Sequence, residues 1–234
     1  MRFYPVDNEF FLDSEVQSQI YFRRDALIEI LKEMLDFFHV VLIAGQSGIG
    51  KTSLAIDLCN ELEDNFAWIS VTASERKLGT FLQTFLKALS PFLDETFEKL
   101  QIKGTRKEFE DLFLCVEEKI HKRDLLLVLD DVHRIYKADW FENFFVTILH
   151  FSDKLRFLLV GRTEPPFSIL KFRASQIIGV LQQESLIFTF NEAFSFLRQF
   201  GIDEKTAQRL FKESNGKISK IRKLLEKELN SSCF

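Results

Sequence analysis

The sequence predicts an α/β protein, a five-stranded parallel sheet flanked by helices and followed by a small helical region. Three observations carry this reading. Five short apolar runs, Val40–Ala44, Phe66–Val71, Leu125–Asp130, Leu155–Gly161 and Gln176–Leu181, are mostly continuous rather than alternating, as strands buried on both faces are. Helical periodicity fills most of the gaps between them, and alternating strands and helices imply right-handed crossovers with ligands at the carboxyl ends of the strands. From Asn191 onward the strand-like runs stop and only helical patterns remain.

Taken in order, residues 1–22 mix acidic and aromatic side chains without a clear period and read as an extended lead-in. Arg24–Phe38 places Leu27, Ile28, Ile30, Leu31, Met34, Leu35 and Phe38 at helical spacing just before the first strand. Helices follow at Lys51–Glu63, Gly79–Leu89, Thr105–His121 and Asp139–Phe151. The stretch Ser90–Lys107, punctuated by Pro91 and Gly104, is compatible with a helix pair or a loop. Asn191–Phe200, Asp203–Ser214 and Lys217–Leu229 read as three helices separated by Gly201 and Asn215-Gly216. The expected organisation is a lead-in (1–22), a core (23–185) and a helical lid (186–234).

The 234 residues are 46% hydrophobic, ample for one core and a small appendage. Twenty-seven phenylalanines spread over the whole length, which points to core filling rather than to an aromatic binding surface. A net charge of −4 and a pI near 5.7 give no bulk electrostatic footprint for nucleic acid, although a local basic face is compatible with them. Cys59, Cys115 and Cys233 are odd in number and far apart, which argues against a disulfide framework and a zinc site and fits a reducing compartment. No apolar leader and no membrane span can be read, so the expectation is a soluble, cytoplasmic protein.

One segment carries chemistry by itself. Gly45-Gln46-Ser47-Gly48-Ile49-Gly50-Lys51-Thr52 matches G-x-x-x-x-G-K-[ST] between an apolar strand and a helix, the context that a phosphate-binding loop requires. Glycines let the backbone curl so that its N–H groups and the helix N-terminus surround a triphosphate. Lys51 would reach the β/γ-phosphates and Thr52 would hold Mg²⁺, with Ser53 beside them in the binding set. A glycine-rich turn is the bland alternative. ATP or GTP is the expected ligand, and an Asn-Lys-x-Asp guanine-reading motif is lacking.

The strand Leu125–Asp130 ends in two carboxylates, which supplies the second half of such a site. Asp130 would hold Mg²⁺ through water or through Thr52. Asp131, turned to the other side, is the candidate to orient or deprotonate the attacking water. Arg162, delivered by the strand Leu155–Gly161, would face the γ-phosphate, report ATP against ADP and stabilise transition-state charge. His133 and Arg134 read as loop positions with no phosphate role.

In this order the pieces resemble the signal-transduction ATPases with numerous domains (STAND), and within them the nucleotide-binding module of the large LuxR-type regulators of the maltose-activator kind. The likeness is carried by Arg23–Leu27, Gly45–Thr52, Ala67–Val71 with Phe81 and Ala88-Leu89, Leu125–His133, Gly161–Pro166 and Leu186–Ala193 with Phe196-Leu197. It spans roughly residues 20–225. The resemblance implies a P-loop NTPase of the AAA+ arrangement with strand order 5-1-4-3-2 and a helical domain closing over the nucleotide. It implies a weak ATPase that switches between an ADP-held resting form and an ATP-bound form that associates with itself or with a partner protein. Carried over, Lys51 and Thr52 bind phosphate and Mg²⁺, Asp130 and Asp131 are the acidic pair, Arg162 is the sensor, and the lead-in around Tyr21–Arg24, Arg23 included, contacts the base. Two departures stand out: Asn215–Lys220 lacks the proline of the family's Gly-x-Pro-like motif, and the family's sensing and DNA-binding domains do not occur in these residues. The sequence is therefore expected to be a fragment or a stand-alone module.

Two other classes share the P-loop. A DNA-associated AAA+ ATPase of the origin-recognition or transposition-helper kind is suggested by Lys217, Lys220, Arg222, Lys223 and Lys227, but Glu226 and Glu228 on the same helix favour a solvated face. A nucleotide kinase would need an arginine-rich lid, and Arg173 and Arg198 are isolated.

Overall fold

A computed structural model of the chain describes residues 3–6, 9–12, 22–62, 65–93, 104–120, 125–150, 154–167, 169–174 and 177–231. In chain order these form β1 (Phe3–Val6), β2 (Glu9–Leu12), α1 (Asp25–Phe37), β3 (Val40–Ala44), α2 (Lys51–Glu61), β4 (Phe66–Ser70) and α3 (Leu78–Leu89). Then come α4 (Arg106–Lys119), β5 (Leu125–Asp130), α5 (Phe141–Leu149), β6 (Leu155–Gly161), α6 (Leu170–Ala174), β7 (Ile178–Leu181) and α7 (Gln183–Leu186). Three longer helices close the series: α8 (Phe190–Arg198), α9 (Glu204–Ser214) and α10 (Ile218–Ser231).

Strands β3 to β7 form one sheet in the order β4-β5-β6-β3-β7, with every pair parallel. Numbering these five strands along the chain and reading from β7 gives 5-1-4-3-2, the order that the resemblance implied. Successive side chains point to opposite faces. Val40 and Leu42 join Leu125, Leu127 and Leu129 on the face covered by α3, α4 and α5, with Phe81, Phe85, Phe113 and Phe144. Val41, Ile43, Val128, Leu158 and Val160 face the other way, onto Ile28 and Leu31 of α1 and Leu54 and Leu58 of α2. With helices on both sides no strand keeps a polar face, and this is why the apolar runs are continuous.

The phenylalanines scattered in sequence converge in space. Phe81 stacks on Trp140 with centroids 4.5 Å apart and meets Phe144 edge-on at 5.0 Å, while Phe85 stacks on Phe113 at 4.9 Å. Such pairs add roughly 0.5–1.5 kcal/mol each beyond the area they bury.

Helices α8, α9 and α10 bury a core of their own around Phe196, Leu197, Leu210, Ile221 and Leu225, and Phe22 from the lead-in packs against it. The local sequence sets their ends. Thr189 and Glu192 form a reciprocal capping box at α8, and Asp203 accepts the Thr206 N–H at 3.1 Å to cap α9. Asn215 (φ 50) and Gly216 (φ 68) then make a left-handed turn into α10. A Cβ on Gly216 would lie 2.6 Å from the Phe188 carbonyl oxygen, so this turn requires glycine.

The differences from the sequence reading are local. Within the aperiodic lead-in, β1 and β2 pair as an antiparallel hairpin. Helices α6 and α7 are new, each too short for a period of 3.6 residues to be visible. In the ambiguous stretch, a 3-10 turn covers Ser90–Phe92 and Thr105 caps α4, while residues 94–103 lie outside those described.

Candidate nucleotide-binding site

The loop Gly45–Thr52 leaves the carboxyl end of β3 and enters α2 through two left-handed glycines, Gly48 (φ 81) and Gly50 (φ 97). Such a curl, closed by the uncapped N-terminus of α2, presents successive backbone N–H groups to an anion. Register places the second half of the site. Ala44 pairs with Gly161, and the Gly45 N–H donates to the Gly161 oxygen at 3.2 Å, so Arg162 emerges beside the start of the loop.

Lys51 is only 8% exposed, and its Nζ donates to the Gln46 carbonyl at 3.0 Å. Burial pushes its pKa below the ordinary lysine value, opposed by the carboxylates of Asp130 and Asp131 and assisted by Arg162. The Thr52 hydroxyl donates to Asp130 Oδ1 at 3.2 Å across the gap between α2 and β5. Burial raises the Asp130 pKa, with hydrogen bonds from the Asp131 N–H and Thr52 working against it. Asp131 adopts a left-handed backbone (φ 56). Its Oδ2 accepts from Arg134 Nε at 3.1 Å, and its Oδ1 lies 3.7 Å from His133 Nδ1, beyond hydrogen-bond reach. Burial pushes the His133 pKa down, against the attraction of Asp131, and its Nδ1 is buried with no hydrogen-bond partner among the described residues.

Helices after β7 meet the loop directly. The Ser219 N–H donates to the Gly48 carbonyl at 3.1 Å, Lys217 Nζ donates to Gln46 Oε1, and the Gln46 N–H donates to Gln183 Oε1 at 2.9 Å. Beside these contacts a cavity of about 140 Å³ runs along the first turns of α2, lined by Gly48, Ile49, Gly50, Ser53, Leu54 and Asp57 from the loop side. Phe22, Arg24, Leu186, Phe188, Ile218, Ser219 and Arg222 close its other walls. Ile218 and Ser219 thus stand where the proline-bearing motif of the resembled family was missing. Arg24 is fixed by Glu192 (Nε to Oε1, 2.8 Å), by the Leu186 carbonyl (2.7 Å) and by the Phe188 ring 4.6 Å away.

The structure brings Gly45–Ser53, Asp130, Asp131 and Arg162 to the carboxyl end of the sheet. Arg23 lies apart from this set. Its guanidinium bonds Asp25 Oδ1 at 2.6 Å and the Glu61 carboxylate, and it does not line the cavity. Neighbouring side chains on non-helical backbone diverge, and it is Arg24 that turns inward. Tyr21 lies outside the described residues. Gln183, Lys217, Ser219 and Arg222 were missed. Gln183 is polar surface by composition, and the other three sit in a segment whose charges read as a solvated face.

Among the described residues no cluster of three or more His, Cys, Asp or Glu forms a protein-only metal cage. The described helices include none long and apolar enough to cross a membrane.

Comparison with known proteins agrees with this geometry. The HTH-type transcriptional regulator MalT of Vibrio parahaemolyticus is 26% identical over 197 residues, covering 80% of this chain and 21% of the regulator. MalT of Yersinia pestis is 23% identical over 220 residues, covering 90% and 24%. The chain therefore spans about a fifth to a quarter of the length of these relatives, and the likeness to large LuxR-type regulators read from the sequence is borne out. Among solved structures, a Walker-type ATPase of Pyrococcus abyssi superposes with a TM-score of 0.58 at 16% identity, covering 86% of this chain and 66% of that one. A STAND protein with a tetratricopeptide repeat sensor from Pyrococcus horikoshii gives a TM-score of 0.53 at 17% identity, covering 85% and 28%. Residues 39–165, more than half of the chain, match the AAA domain, and the chain belongs to that family of P-loop ATPases.

Proposed function

We propose that this chain is an ATP-binding and ATP-hydrolysing switch of the STAND kind, in which nucleotide state sets how the C-terminal helices sit on the phosphate-binding loop. Its output is association with a second copy or with a partner protein. The observation that carries this reading is the direct seat of α10 on the loop, through Ser219 to Gly48 and Lys217 to Gln46. A triphosphate entering the loop competes with Gln183 for the Gln46 N–H and with the Gln46 carbonyl for Lys51, and the rearranged loop alters that seat.

The residues fit a magnesium nucleotide. The Thr52 hydroxyl and Asp130 carboxylate are hard oxygen donors 3.2 Å apart, the kind of partial shell that Mg²⁺ takes when phosphates and water supply the rest. Magnesium, when bound, neutralises charge on the β- and γ-phosphates during transfer. Lys51 exchanges the Gln46 carbonyl for phosphate oxygens. Asp131, carried on its left-handed turn and held by Arg134, orients the attacking water, and Arg162 meets the charge that develops on the γ-phosphate.

Light scattering with ATP, with ADP and without nucleotide tests the switch. The expected result is a larger assembly with ATP only. Lys51→Ala should weaken ATP by ~10–100-fold in calorimetry, the worth of a charged hydrogen bond, and stay small in all three conditions. An unchanged mass despite measured ATP binding would reject the switch and leave an ordinary ATPase.

A further inference from the structure

Arg222 lies on α10 and lines the cavity beside the phosphate-binding loop. The side chain is half-buried, and among the described residues its Nε is enclosed with no hydrogen-bond partner. A buried N–H in this condition is costly, and proteins keep such groups where something outside the chain completes them. Guanidinium offers donors only, so the missing partner is an acceptor.

Position along α2 says which part of a nucleotide supplies it. Phosphates belong at Lys51 and the loop amides, whereas the cavity continues past Ser53 and Leu54 to Asp57, ~9 Å further along the helix at 1.5 Å per residue. Phe22, Phe188 and Ile218 add apolar walls suited to a flat ring. Asp131, His133 and Arg162 are absent from the lining, which separates Arg222 from the γ-phosphate side of the site.

We propose that Arg222 is the residue through which the C-terminal helices recognise the nucleoside, donating to a ring nitrogen of the purine or an oxygen of the ribose. The inference rests on the nucleotide-binding reading above and deepens it. It makes closure of α10 depend on the nucleoside as well as on the phosphates, and it assigns to an arginine a contact that the missing proline motif leaves open.

The test compares the full 234-residue chain with Arg222→Met, which keeps the length and apolar stem of the side chain. Calorimetry uses ATP, 7-deaza-ATP, 2′-deoxy-ATP and inorganic tripolyphosphate, and the melting temperature is read without ligand. The variant should bind ATP ~10–100-fold more weakly, in line with loss of a charged hydrogen bond. Its affinity for tripolyphosphate should stay within about twofold, and its unliganded melting temperature should hold or rise because a buried donor left without an acceptor has gone. Equal ATP affinity in the two proteins, or an equal loss for ATP and tripolyphosphate, overturns the proposal. Wild-type chain that binds neither ATP nor tripolyphosphate overturns the nucleotide-binding reading itself, without reference to the variant.

Discussion

The backbone N–H of Ser219 donates to the carbonyl of Gly48 at 3.1 Å, which joins the first turn of α10 to the middle of the phosphate-binding loop. The approach is close. A Cβ on Gly48 would lie 2.2 Å from Ser219 Oγ, and the residue already holds φ +81. Gly48→Ala is therefore expected to destabilise the chain by ~1–2 kcal/mol from the backbone alone, a fall of about 4 °C in melting temperature at this size. Limited proteolysis should then cut more readily after β7. Adding Ser219→Gly should return only part of the loss, because it removes the clash and not the dihedral strain. If Ser219→Gly returned none of the loss, the clash would be absent and α10 would not sit on the loop.

Asp130 illustrates a group whose proposed role opposes stability. Burial raises its pKa, so the folded chain holds a proton there more readily than the unfolded chain does. The sign follows from linkage: the ionised group costs stability at neutral pH, and that cost is relieved as pH falls through the raised pKa. Asp130→Asn should accordingly raise the nucleotide-free melting temperature at pH 7, with little gain at acid pH. Hydrolysis measured by phosphate release should fall by about a hundredfold or more if Asp130 holds Mg²⁺ as proposed. A lowered melting temperature at pH 7 would contradict the assignment of burial as the dominant influence.

Legibility in the sequence tracked how local each determinant is. Gly45–Thr52 is eight contiguous residues whose chemistry and conformation are written together, and Asp130 marks the tip of an apolar strand, so both could be placed without coordinates. Strand order is not local, and it came from the resemblance rather than from any run of residues. Arg23 and Arg24 are adjacent and chemically alike, and only the fold decides that Arg24 reaches Glu192 and Phe188 while Arg23 turns to Asp25. Gln183 and Ser219 touch the loop from far along the chain through ordinary polar groups, which have no sequence signature until the helices are packed.

Arg162 is exposed at the tip of β6 and has no hydrogen-bond partner among the described residues, yet it is close enough to Lys51 to depress that lysine's pKa. A cation held near the phosphate site without a carboxylate partner is suited to meet charge that appears only during reaction. Arg162→Ala should lower kcat for ATP hydrolysis by ~100-fold, as loss of a preorganised charge does, and change ADP affinity by no more than about threefold. An equal loss of ADP affinity would make Arg162 a ground-state binding residue instead.

Glu192 ties the lead-in to the C-terminal helices by accepting from Arg24 at 2.8 Å while capping α8 through the Thr189 N–H. Burial acts to raise its pKa, but the Thr189 N–H and the Arg24 guanidinium together outweigh it and hold the carboxyl below the ordinary glutamate value. A depressed folded-state pKa gives stability that is fully present above the unfolded-state pKa and is lost as pH falls through the folded one. Glu192→Gln should therefore melt about 3 °C lower than wild type at pH 7, and the gap should close from about pH 5 downward. Arg24→Met should show the same convergence, since it removes the other half of the pair. A gap that stays constant to acid pH would locate the stabilisation in packing of the side-chain stems, and the lead-in would then be held by Phe22 against Phe188 and Phe196 rather than by charge.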